Sequence, residues 1–154
     1  MNELTVNLSS KHKKTEFTCG VGMLDDYLHK QANQDVKRKL SACFVMLDEE
    51  NNQLRGYYTL SNSSISQDLI PTKYQKKLPK SYSSIPTTLL GRLAIDSRCK
   101  GQGLGKIMLM DALHRCYEIS KSIGSYAVIV DPIDENAEMF YAKYGFIELS
   151  DSGK

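Results

Sequence analysis

Apolar and polar positions along the chain change period several times, and each change marks an element. The stretch "LTVNL" at 4–8 alternates and predicts a short strand. Met23, Leu24, Tyr27, Leu28 and Ala32 then recur at helical spacing. Asp25 and Asp26 stand early in that run and Lys37–Lys39 late, which complements a helix dipole and predicts a helix from about 22 to 38. "ACFVMLD" and "LRGYYTLSNSSI", separated by the polar turn "EENNQ", predict an antiparallel hairpin. Residues 66–85 carry Pro71, Pro79 and several lysines and read as a loop with one helical turn around Tyr74. "TTLLGRLAID" at 87–96 reads as a strand. Leu104, Met108, Ala112, Cys116, Ile119 and Ile123 return to helical spacing and predict a helix over about 103–122, ended by Gly124. "SYAVIV" is a buried strand, "DENAEMFYAKY" an amphipathic helix closed by Gly145, and "FIEL" the start of a further strand. Elements in this order predict an α/β (α+β) fold, a mixed central sheet with helices on both faces. The crossover in its second half is expected to be right-handed.

Composition narrows this reading. With 154 residues, 41% hydrophobic and 25% charged, the chain fits one domain, 1–154, around one core. The longest apolar runs, such as "AVIV", are far shorter than a bilayer span, so no membrane association is expected. The N-terminus lacks a signal-like apolar core, and Cys19, Cys43, Cys99 and Cys116 are scattered without a C-x-x-C pair. Reduced thiols in a cytoplasmic protein, with no metal site, are expected. A net charge of +2 changes little.

Candidate chemistry centres on "RCKGQGLGK" at 98–106. Three alternate glycines need a reason, because glycine inside a helix costs about 1 kcal/mol relative to alanine. A strand ending at Asp96, a glycine loop and a helix starting near Gly103 gather free backbone N–H groups at a positive dipole end. A diphosphate suits such a place. The spacing fails the dinucleotide pattern G-x-G-x-x-G, whose third slot holds Lys106, and the phosphate-loop pattern, whose slots hold Lys100 and Ile107. A bare tight turn is the plainer alternative.

The spacing G-x-G-x-G after "LAID" resembles the GNAT acetyltransferases, whose loop reads Q/R-x-x-G-x-G/A. Aligned on Gly103 and Gly105 the leading slot is Lys100; aligned on Gly101 and Gly103 it is Arg98. The first register is preferred because it starts the helix behind the last glycine. "FYAKYGF" at 140–146 resembles the family's F-Y-x-x-x-G-F signature. "FTCGVGMLDDYLHKQANQD" and "GYYTLSNSSI" resemble a narrower branch, the GNAT toxins of bacterial toxin–antitoxin pairs, so the match covers nearly the whole chain.

The resemblance implies acetyl-CoA as cosubstrate. Main-chain groups of Leu93, Ala94 and Ile95 would pair with the pantetheine arm, and the segment Lys100, Gly101, Gln102, Gly103, Leu104, Gly105 and Lys106 would take the diphosphate. Tyr141 would be the acid that protonates departing coenzyme A; an ordinary packed tyrosine is its plainer reading, and Tyr144 is read as structural. The family's asparagine slot, seven residues before the tyrosine, holds Asp134, with Asn136 displaced by two. His12, His29 and His114 read as surface groups, so no general base stands out.

The toxin branch acetylates the aminoacyl group of charged tRNA. Lysines and arginines at 36–39 and Lys73, Lys76, Lys77 and Lys80 could line one groove for a phosphate backbone, or simply be solvated. Arg92 is the residue chosen for a substrate-side contact. By resemblance an antitoxin protein and a second copy of the chain are partners. GNAT folds end in a hairpin, whereas "GFIELSDSGK" has room for one strand, so the usual last strand is expected to be missing. Two rival readings remain: acetyl transfer to a small amine or protein N-terminus, and a catalytically silent module that binds coenzyme A or a partner.

Overall fold

The computed structural model describes residues 4–48, 50 and 52–149. Five strands, β1 (Val6–Asn7), β2 (Ala42–Asp48), β3 (Gln53–Ser66), β4 (Ser84–Ile95) and β5 (Val128–Val130), form one sheet in the order β1-β2-β3-β4-β5. Neighbours are antiparallel except β4 and β5, which are parallel and joined by a helical crossover. The helices are α1 (Gly22–Asp26), α2 (Ala32–Lys37), the single turn α3 (Thr72–Gln75), α4 (Leu104–Ser120) and α5 (Glu135–Lys143).

Alternation along the strands explains the layers, since successive side chains point to opposite faces. Cys43, Val45, Tyr57 and Ala94 point to one face, where they bury Phe17, Leu24, Leu28 and Ala32. Phe44, Met46, Tyr58 and Leu90 point to the other, against Met108, Leu109, Ala112 and Cys116 of α4 and Tyr141 of α5. A third cluster, Ile65, Ile70, Ile85 and Ile129, lies under the 67–78 excursion. The mixed sheet with helices on both faces is thus the expected fold.

Three expectations need correction. The helix expected over 22–38 is interrupted: Tyr27–Gln31 form a π-helical turn between α1 and α2. Tyr27 and Leu28 are both buried in this turn, and such turns gather at functional sites. The strand expected at "FIEL" does not form, and 146–149 have no regular structure. Phe146 packs in the α4/α5 cluster, while Leu149 is buried with Ile129 in the third cluster. The segment therefore wraps around the edge of β5 instead of lying along it. Whether a further strand follows concerns residues outside those described. The strand expected at 125–130 is shorter, 128–130, though Tyr126 and Ala127 still bond to β4 main chain.

A polar network fixes α4 against the sheet. Asp111 accepts from the hydroxyls of Thr5 (2.6 Å) and Tyr58 (2.7 Å). Arg115 donates to Tyr58 and Thr5 and stacks over Phe44 at 4.0 Å. The middle of α4 is therefore tied to β3 and to Thr5 beside β1.

Candidate active site

β4 and β5 pair only at Thr88↔Val128, Leu89↔Ile129 and Leu90↔Val130. Past Leu90, β4 continues to Ile95 with β3 alone as its partner. β5 ends at Val130, so this edge of β4 is left unpaired past Leu90, and a cleft of about 510 Å³ lies beside it. Leu93, Ala94 and Ile95 line its floor, the 99–106 segment lies at one end, and Asn136, Phe140, Tyr141 and Tyr144 of the α5 segment form a wall.

At the loop end, Gly101 (φ +82°) and Gly103 (φ +75°) are left-handed, a conformation that glycine adopts without a Cβ penalty. Gly103 precedes the first residue of α4, so the helix begins at Leu104 and not behind Gly105. The reason for preferring the Lys100 register therefore fails. Gly105 instead allows close packing, since a Cβ there would come within 3.3 Å of Phe140. The first-turn N–H groups of α4 have no intrahelical partner and, with Lys100, Lys106 and Lys143 on the walls, make this end of the cleft receptive to phosphate. Gln102 stands exposed between the two left-handed glycines and does not line the cleft.

The loop is tied down from behind. Asp96 is fully buried and accepts from the Thr18 amide (3.2 Å), the Arg98 amide (2.9 Å) and the Arg98 Nε (2.9 Å). Ser97 N–H donates to Thr18 (2.7 Å), and Lys100 Nζ donates to the Cys19 carbonyl (2.6 Å). Burial alone would raise the Asp96 carboxyl, but the Arg98 side chain and the two amides outweigh it and hold the group below the usual carboxylate range. A lowered carboxyl contributes stability above its unfolded pKa of about 4 and loses it as pH falls. Asp96→Ala is expected to cost about 2–4 kcal/mol in urea unfolding at pH 7, because it strands buried donors. The difference from wild type should narrow steadily below pH 4.

Tyr141 is 8% exposed, edge-on to Phe140 and Phe146 at 5.3 Å each. Its hydroxyl makes no hydrogen bond among the described residues, and burial pushes the phenol up to about 12. It stays protonated far above neutral pH and can only donate there. The cleft lining among the described residues contains no Asp, Glu or His. His12 and His29 bond to nearby main chain (Ser9 and Phe17), and His114 is exposed.

Leu93–Ile95, Lys100, Gly101, Gly103–Lys106 and Tyr141 thus meet in one cleft. Arg92 does not line it; its guanidinium lies 3.5 Å from the centre of the Tyr27 ring on the α1/α2 face. The two basic groups do not share a groove: Lys39 lines one hollow, Lys76 and Lys80 another. Sequence reasoning missed Cys19, Val21 and Leu24 in the cleft and undervalued Asn136 and Tyr144. Asp134 explains the first of those two. It caps α5 by accepting from the Ala137 amide at 2.8 Å, which leaves Asn136 to face the cleft. A helix-capping reading of "DENA" was the available signal.

Residues 80–154 match the acetyltransferase (GNAT) domain family. The chain is 33% identical over 139 residues to the tRNA-acetylating toxin of Mycobacterium tuberculosis (strain ATCC 25618 / H37Rv), covering 90% of this chain and 81% of that protein. It resembles the structure of AtaT complexed with acetyl-methionyl-tRNAfMet, with a TM-score of 0.89 at 30% identity over 96% of this chain and 88% of that one. It also resembles a mutant AtaT toxin bound to the C-terminus of the antitoxin AtaR and acetyl-CoA, with a TM-score of 0.78 at 26% identity over 94% and 84% of the two chains. The chain belongs to the GNAT acetyltransferase family, and within it the relatives it resembles are toxins. It is an acetyl-CoA-dependent acetyltransferase.

Proposed function

We propose that residues 1–154 form one acetyltransferase domain that moves the acetyl group of acetyl-CoA to the α-amine of aminoacyl-tRNA, a toxin activity that blocks translation. The observation that carries this reading is the cleft beside β4 beyond the end of β5. It joins Leu93–Ile95, the first turn of α4 and Tyr141, on a chain 33% identical to a tRNA-acetylating toxin.

Main-chain groups of Leu93, Ala94 and Ile95 pair with the pantetheine arm, and the amides of Gly101–Lys106 hold the diphosphate. The acceptor nitrogen attacks the thioester carbon, the C–S bond breaks, and Tyr141 gives its proton to the thiolate. The nitrogen loses a proton to water. Arg92 contacts the acceptor. The protein works in the cytoplasm as a homodimer and is neutralised by an antitoxin protein; no helix among the described residues is long and apolar enough to cross a membrane.

Labelled acetyl-CoA incubated with total bacterial tRNA charged with all twenty amino acids tests the reading. Label on tRNA, released by deacylation, is the expected result. Label confined to small amines or peptides would support the second enzyme reading, and no label the silent module.

A further inference from the structure

The cleft presents a problem in proton chemistry. An α-amine is about half protonated near pH 8, and only the neutral form can attack a thioester. No carboxylate or imidazole among the described residues lines the cleft to take the proton. The nearby candidates are committed elsewhere: Asp25 accepts from Thr18 and Cys19, Asp96 is bound by Arg98, and His29 bonds to the Phe17 carbonyl.

The direction of the cosubstrate locates the reacting carbon. A diphosphate at Gly101–Lys106 and an arm running along Ile95–Leu93 place the thioester beyond Leu93. There β4 meets the end of β5, at the Leu90↔Val130 pair. The residues between are Gly91 and Arg92. The register puts Thr59 opposite Arg92 and Leu60 opposite Leu90, so Gly91 is the extra residue of a bulge. Bulges re-aim side chains beside active sites. Leu90 faces α4, whereas Arg92 lies on Tyr27 on the opposite face.

The Arg92 side chain makes no hydrogen bond or ion pair among the described residues; its guanidinium lies over the Tyr27 ring. Tyr27 is itself fixed, with its hydroxyl donating to Asp35 at 2.8 Å and its ring stacked with Tyr57. The titratable groups around Arg92 are Tyr27 on the π turn, Asp35 on α2, Cys43 on β2 and Tyr57 on β3, with Lys14 adding positive charge near Cys43. Asp35 is the only carboxylate in that set. Burial raises Tyr27, Cys43 and Tyr57, and the charge of Arg92 opposes it at all three.

We propose that Arg92, a cation with no ion-pair partner within contact distance among the described residues, stands beside the incoming α-amine and disfavours its protonated form. It thereby supplies the neutral nucleophile that other enzymes obtain from a general base. The inference rests on the aminoacyl-tRNA reading above. A like charge at a few ångströms lowers an amine's pKa by about one unit or more. The proton leaves to water before attack, and Tyr141, on the far face of β4, still provides the proton that coenzyme A takes up.

The test is kcat at saturating acetyl-CoA between pH 5.5 and 8.5, with the charged tRNA that wild type labels fastest in the twenty-amino-acid pool. Wild type, Arg92→Lys and Arg92→Gln are compared. For wild type, the acidic limb should lie below the titration of the same aminoacyl ester free in solution. In R92Q the limb should move up by about one pH unit. That means a loss about tenfold larger at pH 6 than at pH 8.5, while R92K keeps the low limb. A uniform drop of R92Q at every pH, or a wild-type limb at the free-ester value, overturns the proposal and leaves the function standing. The wild-type limb decides the matter even if R92Q does not fold. If wild type labels no tRNA in the pool, the functional reading falls, and this inference with it.

Discussion

Tyr141→Phe is expected to fold normally, bind acetyl-CoA as tightly as wild type and transfer acetyl groups about 10²–10⁴-fold more slowly, the usual range for losing a positioned general acid. The physical reason is that thiolate departure needs a proton, and of the two phenols on the cleft wall, Tyr141 and Tyr144, Tyr141 is the buried one. Lys100 is bonded to Cys19, and the remaining lysines stand among the loop and α5 residues. The substitution removes one oxygen that makes no hydrogen bond in the structure, so it leaves the edge-on ring packing of Phe140 and Phe146 intact. Stopped-flow transfer and equilibrium binding, measured on the same preparation, separate the two effects. Equal losses in both would point to a packing role for the ring. Because burial lifts the phenol to about 12, wild-type activity should also show no alkaline fall due to this group below pH 10.

The second large effect is expected at the glycine loop. In Gly103→Val, a β-branched residue is forced into φ +75° at the residue that opens α4. Strain of about 1–3 kcal/mol at such a position either persists or is relieved by turning the loop, which moves the first-turn amides off the diphosphate. Acetyl-CoA affinity should fall roughly 5–150-fold on that basis. The space around Gly103 is open, so the loss comes from backbone conformation and not from a clash. A Gly103→Ala variant should fall between valine and wild type. Unchanged affinity in both variants would mean that the loop does not hold the cosubstrate.

Much of this architecture is legible in the residues themselves, and the misses have physical causes. Elements with strong periodicity, such as β3, β4 and α4, are found close to where their patterns place them. The π turn at Tyr27–Gln31 is invisible to a 3.6-residue template, because one additional residue per turn still leaves Leu24, Leu28 and Ala32 in an apolar row. "FIEL" is apolar enough to read as a strand, yet Phe146 and Leu149 are drawn to clusters on opposite faces of the sheet, and packing decides the outcome. At the site, the loop and Tyr141 are recognisable by spacing. Cys19, Val21 and Leu24 are not, because tertiary bonds between 18–19 and 96–100 bring them there. Arg92 could be singled out as a residue, but its stacking on Tyr27 depends on the Gly91 bulge, which no local pattern announces.

Everything rests on diphosphate capture by the main chain ahead of α4, with the acyl arm lying in the opening where β5 leaves its neighbour. Amide NMR during titration with acetyl-CoA reads that directly. The largest shifts should fall on Gly101–Lys106, then on Leu93–Ile95, and saturate together at one ligand per chain. Saturable binding whose shifts cluster elsewhere, with those amides unmoved, would contradict the account.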